Sequence, residues 1–194
     1  AETLGDLTDV SLDITNFVDS LLIQTNSDGA APSTGTLSSA SNNLGIGKDV
    51  FSALTSGDTN LGLGVWALKL VEDGSNNVAC GAYAGRDISS GVANSCIGAS
   101  SGYGITTGSY NFIGGYNAAS AALTGEYNVA LGYTALNAGL DANYNICIGK
   151  AAGVSITTAD NCVVIGGMDV ASATADDQLV ISSGDGGLFW VKGD

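Results

Sequence analysis

The chain has 194 residues, among them 29 glycines, one proline and no histidine, and its formal net charge is −14. Only 12% of its residues are charged, about half the share found in ordinary globular proteins. Five basic residues against 19 acidic ones exclude a Lys/Arg patch for nucleic acid, and the missing histidine excludes Ser-His-Asp and Cys-His catalysis and the commonest metal ligand.

Residues 1–41 form an acidic segment that holds no basic residue. Neither this segment nor any later one contains the run of about 20 apolar residues that spans a bilayer. We therefore expect residues 1–41 to be a connecting segment, and we expect no membrane insertion.

Residues 42–170 contain eight consecutive units of 17 residues, without insertion or deletion. Such a period indicates a repeat architecture, in which each unit stacks on its neighbours. Each unit contains one glycine at a fixed position, here called the marker glycine. In the first seven units an asparagine lies four residues before it, and the eighth unit has Cys162 at that position. The glycines are Gly47, Gly64, Gly81, Gly98, Gly115, Gly132, Gly149 and Gly166, and the asparagines are Asn43, Asn60, Asn77, Asn94, Asn111, Asn128 and Asn145.

The three residues between each asparagine and glycine predict a short strand. Its first and third residues are mostly large and apolar, which predicts one buried face: Leu44 and Ile46, Leu61 and Leu63, Val129 and Leu131, Ile146 and Ile148, Val163 and Ile165. Its middle residue is uncharged as well, and a thin coil has room for one buried face only. We therefore expect the middle column to lie at or toward a subunit interface: Gly45, Gly62, Ala79, Cys96, Ile113, Ala130, Cys147 and Val164.

A second apolar column follows each glycine by seven residues and predicts a second, shorter strand. Together the two strands predict one coil of a parallel β-solenoid per unit, with rungs roughly 4.8 Å apart. Stacked asparagines can form an amide ladder along the axis, and the glycines supply sharp corners. The second column consists of Leu54, Val71, Ile88, Ile105, Ala122 and Ile156.

Residues 171–194 form a C-terminal segment, in which residues 177–190 resemble the strand that closes the repeat blocks of bacteriophage tail fibres. Its apolar residues begin at Leu179 and reach Phe189 and Trp190. The sequence thus predicts an all-β protein with a connecting segment, a repeat domain over 42–170 and a closing segment.

The units Asn77–Gly85, Asn128–Leu136 and Asn145–Gly153 resemble the Asn-x-Ala-Ile-Gly repeats of bacteriophage tail fibres. They are also similar to the head repeats of trimeric autotransporter adhesins, although the period is longer here. The resemblance implies a homotrimer of parallel β-rolls. It further implies a structural, host-attachment role in the virion, assembly in the host cytoplasm, and partners among other virion tail proteins and a host surface glycan or protein. The alternative is a bacterial trimeric surface adhesin.

Aromatic side chains are the candidate receptor-binding residues, because a row of exposed rings can bind sugars or a protein. The period places several of them in columns along the rod. The alternative interpretation is that these columns only cover an edge of the roll. The candidates are Trp66, Tyr83, Tyr110, Tyr116, Tyr127, Tyr133 and Tyr144.

No enzymatic activity, cofactor or metal site is expected. The acidic residues that could form a catalytic pair lie in predicted turns without a flanking insertion to build a cleft. The four cysteines, at 80, 96, 147 and 162, lack metal-ligand spacing and are expected to be free thiols. A glycan-cleaving fibre remains an alternative. An ice-binding solenoid is another, but it would need a regular threonine face, and the column of Thr55, Thr106 and Thr157 is interrupted by Glu72, Leu123 and Leu140.

Overall fold

The computed structural model describes residues 10–14, 17–23, 38–138, 140–183 and 189–193, and side chains from residue 19 to 183 within those ranges. Over these ranges the chain is a parallel β-solenoid without helices, and it has one coil per 17-residue unit. The predicted fold class is therefore confirmed.

Within the described ranges, 13 short strands form one sheet. Eight of them, β4 to β11, are the three-residue strands predicted before the marker glycines. The strands are β1 Val10–Ile14, β2 Phe17–Ile23, β3 Ala40–Ser41, β4 Leu44–Ile46, β5 Leu61–Leu63, β6 Val78–Cys80, β7 Ser95–Ile97, β8 Phe112–Gly114, β9 Val129–Leu131, β10 Ile146–Ile148, β11 Val163–Ile165, β12 Leu179–Ser182 and β13 Phe189–Gly193.

The strands β4 to β11 pair in parallel and in strict register, so that equivalent residues of successive coils lie beside one another. The sheet continues beyond residues 42–170 at both ends, because β2 pairs in parallel with β4 and β12 with β11. Antiparallel partners follow, with β1 on β2 and β13 on β12. Most of the predicted connecting segment, including 1–9 and 24–37, lies outside the described residues.

The predicted row of glycine corners is present. Each marker glycine has a φ between +107° and +141°, a conformation that L side chains rarely adopt. A Cβ built on Gly115 would lie 2.7 Å from the backbone oxygen of Gly132, its counterpart in the next coil. The glycines therefore allow the backbones of successive coils to approach at this corner, and the prediction that they align in one row is confirmed.

In the first seven coils, further corner positions carry residues other than glycine in the left-handed region. One is the residue before the asparagine, as in Tyr110 with φ 60°, and another is the second residue after the glycine, as in Tyr83 with φ 62°. The amide of Tyr83 donates to Val65 O and that of Tyr110 to Val92 O, each in the preceding coil. Backbone hydrogen bonds between coils therefore stabilise the left-handed conformation, which is unfavourable for residues other than glycine.

The predicted assignment of the strand faces is wrong. The middle column, predicted at the subunit interface, is the interior of the coil: Ala79, Cys96 and Ile113 have no exposed surface. The first and third columns, predicted to be buried, point outward, and Ile148 is 38% exposed. The physical reason is that each coil closes on itself, so its narrow interior takes the small middle residue and leaves the large residues outside.

The middle residue of each strand shares the interior with the residue six positions later. A Cβ on Gly45 would lie 2.9 Å from the ring of Phe51, and one on Gly102 would lie 2.5 Å from the sulfur of Cys96. In none of the first seven coils are both members large, because the narrow interior has room for at most one large side chain from each pair. The pairs are Gly45 and Phe51, Gly62 and Leu68, Ala79 and Gly85, Cys96 and Gly102, Ile113 and Ala119, Ala130 and Leu136, and Cys147 and Gly153.

The second apolar column also departs from its prediction. Leu54, Val71, Ile88, Ile105 and Ile156 are fully buried, but they lie in turns, and the described residues form no second strand there. Ala122 is exposed, and Leu123 takes its place in the core through a bridge with Ile105. The larger side chain fills the interior better, so the chain shifts by one residue at this point.

Candidate binding surfaces

An amide ladder runs through the solenoid along the asparagine column. The Oδ1 of Asn128 accepts from both the backbone N and the Nδ2 of Asn145, at 3.0 and 3.1 Å. The Nδ2 of Asn128 donates to Asn111 Oδ1 and to the carbonyl of Ala142 across its own coil. Every amide atom of this buried side chain therefore has partners, which explains why asparagine recurs at this position.

Different residues end the ladder on either side. At the first coil the Oγ of Ser20 accepts from the backbone N of Asn43 at 2.8 Å, in the role that an asparagine Oδ1 has elsewhere. In the eighth coil the amide of Cys162 donates to Asn145 Oδ1, but its thiol offers no amide. Gln178 follows, and its side chain bonds to the backbone of Ser172 and Ala175. The asparagine residues thus stabilise the fold rather than forming a ligand site.

The outward side of β4 to β11, here called the strand face, is a continuous apolar surface along the solenoid. Eight rungs roughly 4.8 Å apart make it about 35 Å long, with an area on the order of 500 Å². A patch of that size matches the largest apolar patch of a typical monomer, and such patches often mark an interaction site. Its residues are Leu44, Ile46, Leu61, Leu63, Val78, Cys80, Ser95, Ile97, Phe112, Gly114, Val129, Leu131, Ile146, Ile148, Val163 and Ile165.

Two columns of stacked tyrosines accompany the strand face in the second half of the solenoid. In the first column the ring centroids of Tyr110 and Tyr127 are 4.8 Å apart and those of Tyr127 and Tyr144 are 5.0 Å apart, with nearly parallel planes. In the second column the centroids of Tyr116 and Tyr133 are 5.8 Å apart. All five side chains are exposed. Because neighbouring rings cover one another's faces, the columns present mainly ring edges and hydroxyl groups.

The Tyr127 phenol, in the middle of the first column, remains protonated at neutral pH. Partial loss of hydration raises the pKa of Tyr127, and the neighbouring Tyr110, Tyr144 and Glu126 raise it further. The Tyr127 hydroxyl can therefore donate as well as accept a hydrogen bond.

Trp66 and Tyr83 belong to a second aromatic group, here called the aromatic corner, in the turns after β5, β6 and β7. Their rings meet edge to face at 5.2 Å, and Tyr103 lies 6.4 Å beyond Tyr83. Lys69 Nζ lies 4.1 Å from the Trp66 ring centre, and the Arg86 guanidinium lies 4.2 Å from that of Tyr103. Sequence reasoning missed Lys69, Arg86 and Tyr103.

Further bonds hold the aromatic corner in place. The Trp66 indole donates to Asp49 Oδ2 at 2.9 Å, and Arg86 pairs with Asp87 at 2.6 Å and also bonds to the Tyr103 hydroxyl. A useful sequence signal was the three-residue step from Trp66 to Lys69 and from Tyr83 to Arg86 in successive coils. The period of 17 residues places these pairs side by side.

The four cysteines are free thiols, as predicted. Burial raises the pKa of Cys96 and of Cys147 to about 12, so both are unreactive core residues at neutral pH. Cys162 is buried as well. Cys80 differs from them, because it is exposed in the third column of the strand face.

Over the described ranges, no group of three metal-binding side chains lies close enough together to hold an ion. The same part of the chain contains no helix that is long and apolar enough to cross a membrane. No protein-family model matches the chain, and neither does a curated protein or a solved structure. The strand face, the tyrosine columns and the aromatic corner are therefore what point to a function.

Proposed function

We propose that this chain is a structural and host-attachment component of a bacteriophage tail fibre, without catalytic activity, that associates with further copies of itself through the strand face. The observation that carries the proposal is the continuous apolar surface on the outside of an otherwise complete solenoid. In a lone chain, large side chains such as Ile97 and Phe112 stay almost half exposed to water.

Association would remove this surface from water. Burying a fully exposed Leu or Ile stabilises by about 1.5–3 kcal/mol, so a side chain that is two-fifths exposed contributes about 1 kcal/mol. Together with the tyrosine columns, the strand face approaches the roughly 800 Å² that each partner contributes to a standard interface. The number of copies, three, comes from the resemblance of the repeats to those of phage tail fibres and trimeric adhesins. A bacterial trimeric surface adhesin would use the same surface and remains the alternative.

The partners outside the homotrimer are other virion tail proteins and a host surface glycan or protein. We place the host contact at the aromatic corner, which combines Trp, Tyr, Lys and Arg side chains outside the strand face. Trp, Tyr and Arg are the residues that most often dominate binding interfaces. An ice-binding role is disfavoured, because the hydroxyls of Thr55 and Thr157 donate to carbonyls of the following coil and are not presented as a free array.

A charge in the strand face tests the association. Replacing Ile146 by Asp brings like charges together at the proposed interface, where the chain has few basic residues to compensate. We expect sedimentation velocity to show single chains instead of the assembly, with the circular dichroism of the solenoid retained. The control is Leu140→Asp, which changes an equally apolar, exposed residue outside the strand face and should leave the assembly intact. Equal behaviour of the two variants would contradict the proposal.

Removal of aromatic rings tests the host contact. We expect Trp66→Ala combined with Tyr83→Ala to weaken binding of the fluorescently labelled protein to receptive bacterial cells at least tenfold, the usual effect of losing a dominant interface residue. The control is Leu70→Ala in the same turn, which should bind like the unmodified chain. Particle mass is measured for each variant. Unchanged cell binding by the double variant would exclude the aromatic corner as the contact.

A further inference from the structure

The strand face alone cannot determine how two copies of the chain align along the rod. Its columns repeat a similar Leu, Ile or Val side chain at every rung, and rungs are roughly 4.8 Å apart. A copy that slips by one rung therefore loses apolar contact only at its ends. A sheet surface with this uniformity specifies its register weakly.

The tyrosine columns break this uniformity, because they are confined to three rungs. Tyr110, Tyr127 and Tyr144 stand directly before the asparagines of coils five, six and seven, and Tyr116 and Tyr133 directly follow the glycines of coils five and six. Coils one to four carry smaller or aliphatic residues in the same columns. These are Asn42, Thr59, Asn76 and Ala93 in the first column and Lys48, Val65, Ala82 and Ala99 in the second.

In each rung, the position of the first tyrosine column precedes the strand in sequence, and the position of the second column follows it. In coil five, Tyr110 precedes Phe112 by two residues, and Tyr116 follows Gly114 by two. Both tyrosines and Phe112 are exposed. The stacking of successive rings holds each column in one arrangement, so that little side-chain entropy remains to be lost on association. An apolar centre with an aromatic, hydroxyl-bearing margin is typical of protein–protein interfaces.

We propose that the two tyrosine columns fix the axial register in which copies of this chain associate. The inference rests on the self-association proposed above, and its ligand is a second copy of the same chain. When two copies are aligned, each tyrosine lies level with the same tyrosine of the neighbouring copy. A slip by one rung leaves a tyrosine opposite Ala93 or Ala99 at one end and unpartnered at the other.

Cys80 supplies an internal reporter of register. It is the exposed thiol of the strand face, and the other three cysteines are buried. In aligned copies the Cys80 side chains of neighbouring chains lie at the same height. After a slip of one rung, Cys80 lies level with Leu63 or Ile97 of the neighbour, neither of which can form a disulfide.

The experiment compares Cys80 disulfide formation under copper–phenanthroline in the unmodified chain and in two variants. The first replaces the five tyrosines with residues found elsewhere in their columns: Tyr110→Asn, Tyr127→Thr, Tyr144→Asn, Tyr116→Val and Tyr133→Ala. The second removes only the shorter column: Tyr116→Val and Tyr133→Ala. The second variant keeps the longer column and therefore loses less of the contact between copies than the first.

We expect the unmodified chain to give a cross-linked pair on a non-reducing gel, and each variant that keeps its particle mass to give several-fold less. Leu140→Ala, an exposed residue outside the strand face, is the control and should cross-link like the unmodified chain. Cross-linking equal to that of the unmodified chain in a tyrosine-removal variant that keeps its particle mass, or an unmodified assembly that fails to cross-link, would overturn the register inference. A single-chain mass for the unmodified protein would instead refute the proposed association itself.

Discussion

Replacing Asn128 by Ala should lower the free energy of unfolding on the order of 4 kcal/mol. The change removes four hydrogen bonds inside the solenoid, two accepted by Oδ1 and two donated by Nδ2. It leaves the backbone N of Asn145 and the carbonyl of Ala142 without these partners in a buried site. A buried polar group without a partner costs about 1–3 kcal/mol, which is why the expected loss exceeds that of an ordinary surface change.

The matched control for this variant is Asn143→Ala. The Asn143 side chain also bonds between coils, accepting from Glu126 N and donating to Asp160 Oδ1, but it is only half buried and water can replace those bonds. Its loss should cost less than about 1 kcal/mol. Urea denaturation followed by circular dichroism, at equal chain concentration, gives both values. Equal losses for the two variants would show that the buried ladder does not stabilise the fold as described.

Exchanging the sizes of two paired core residues should restore most of the stability that each single change removes. We expect Ile113→Ala to cost about 3 kcal/mol through the cavity that it leaves. Ala119→Leu should cost about 2 kcal/mol, because the closed coil has no room for a larger side chain. The double variant recreates the pair that coil six already contains, Ala130 with Leu136, and it should lose less than about 2 kcal/mol in total.

The same denaturation measurement, applied to both single variants and the double variant, forms a complete cycle. The coupling between the two sites is the result of interest, since it reports whether the two side chains fill one shared space. Ala142→Leu combined with Ile113→Ala serves as the control, because Ala142 is buried at another position of the coil. Additive losses for Ile113→Ala and Ala119→Leu would contradict the shared interior.

The coil architecture could be predicted from the sequence because the period is unbroken. Asn, then a three-residue strand, then Gly recurs without an insertion, and that recurrence predicts stacked corners and a buried ladder. The order of inside and outside could not be predicted from alternation alone, because both sides of each strand are uncharged. The informative signal was that residues six apart are never both large in the first seven coils, which is expected where the two share one narrow interior, as Gly45 does with Phe51.

Two local features could not be predicted from the repeat. The one-residue shift that buries Leu123 and exposes Ala122 leaves the spacing of the marker glycines unchanged, so the sequence period gives no sign of it. The aromatic corner depends on contacts between different columns, Trp66 with Lys69 and Arg86 with Tyr103. Stacking of like residues, by contrast, follows directly from the period, as the tyrosine columns show.

The native mass of the particle tests the central claim, that the strand face joins copies of this chain. Sedimentation equilibrium of the unmodified protein over a range of micromolar concentrations gives that mass without reference to shape. We predict three chains of 19.2 kDa each in one particle. A particle of one chain, with no increase at higher concentration, would contradict the claim, and a particle of two chains would contradict the threefold arrangement.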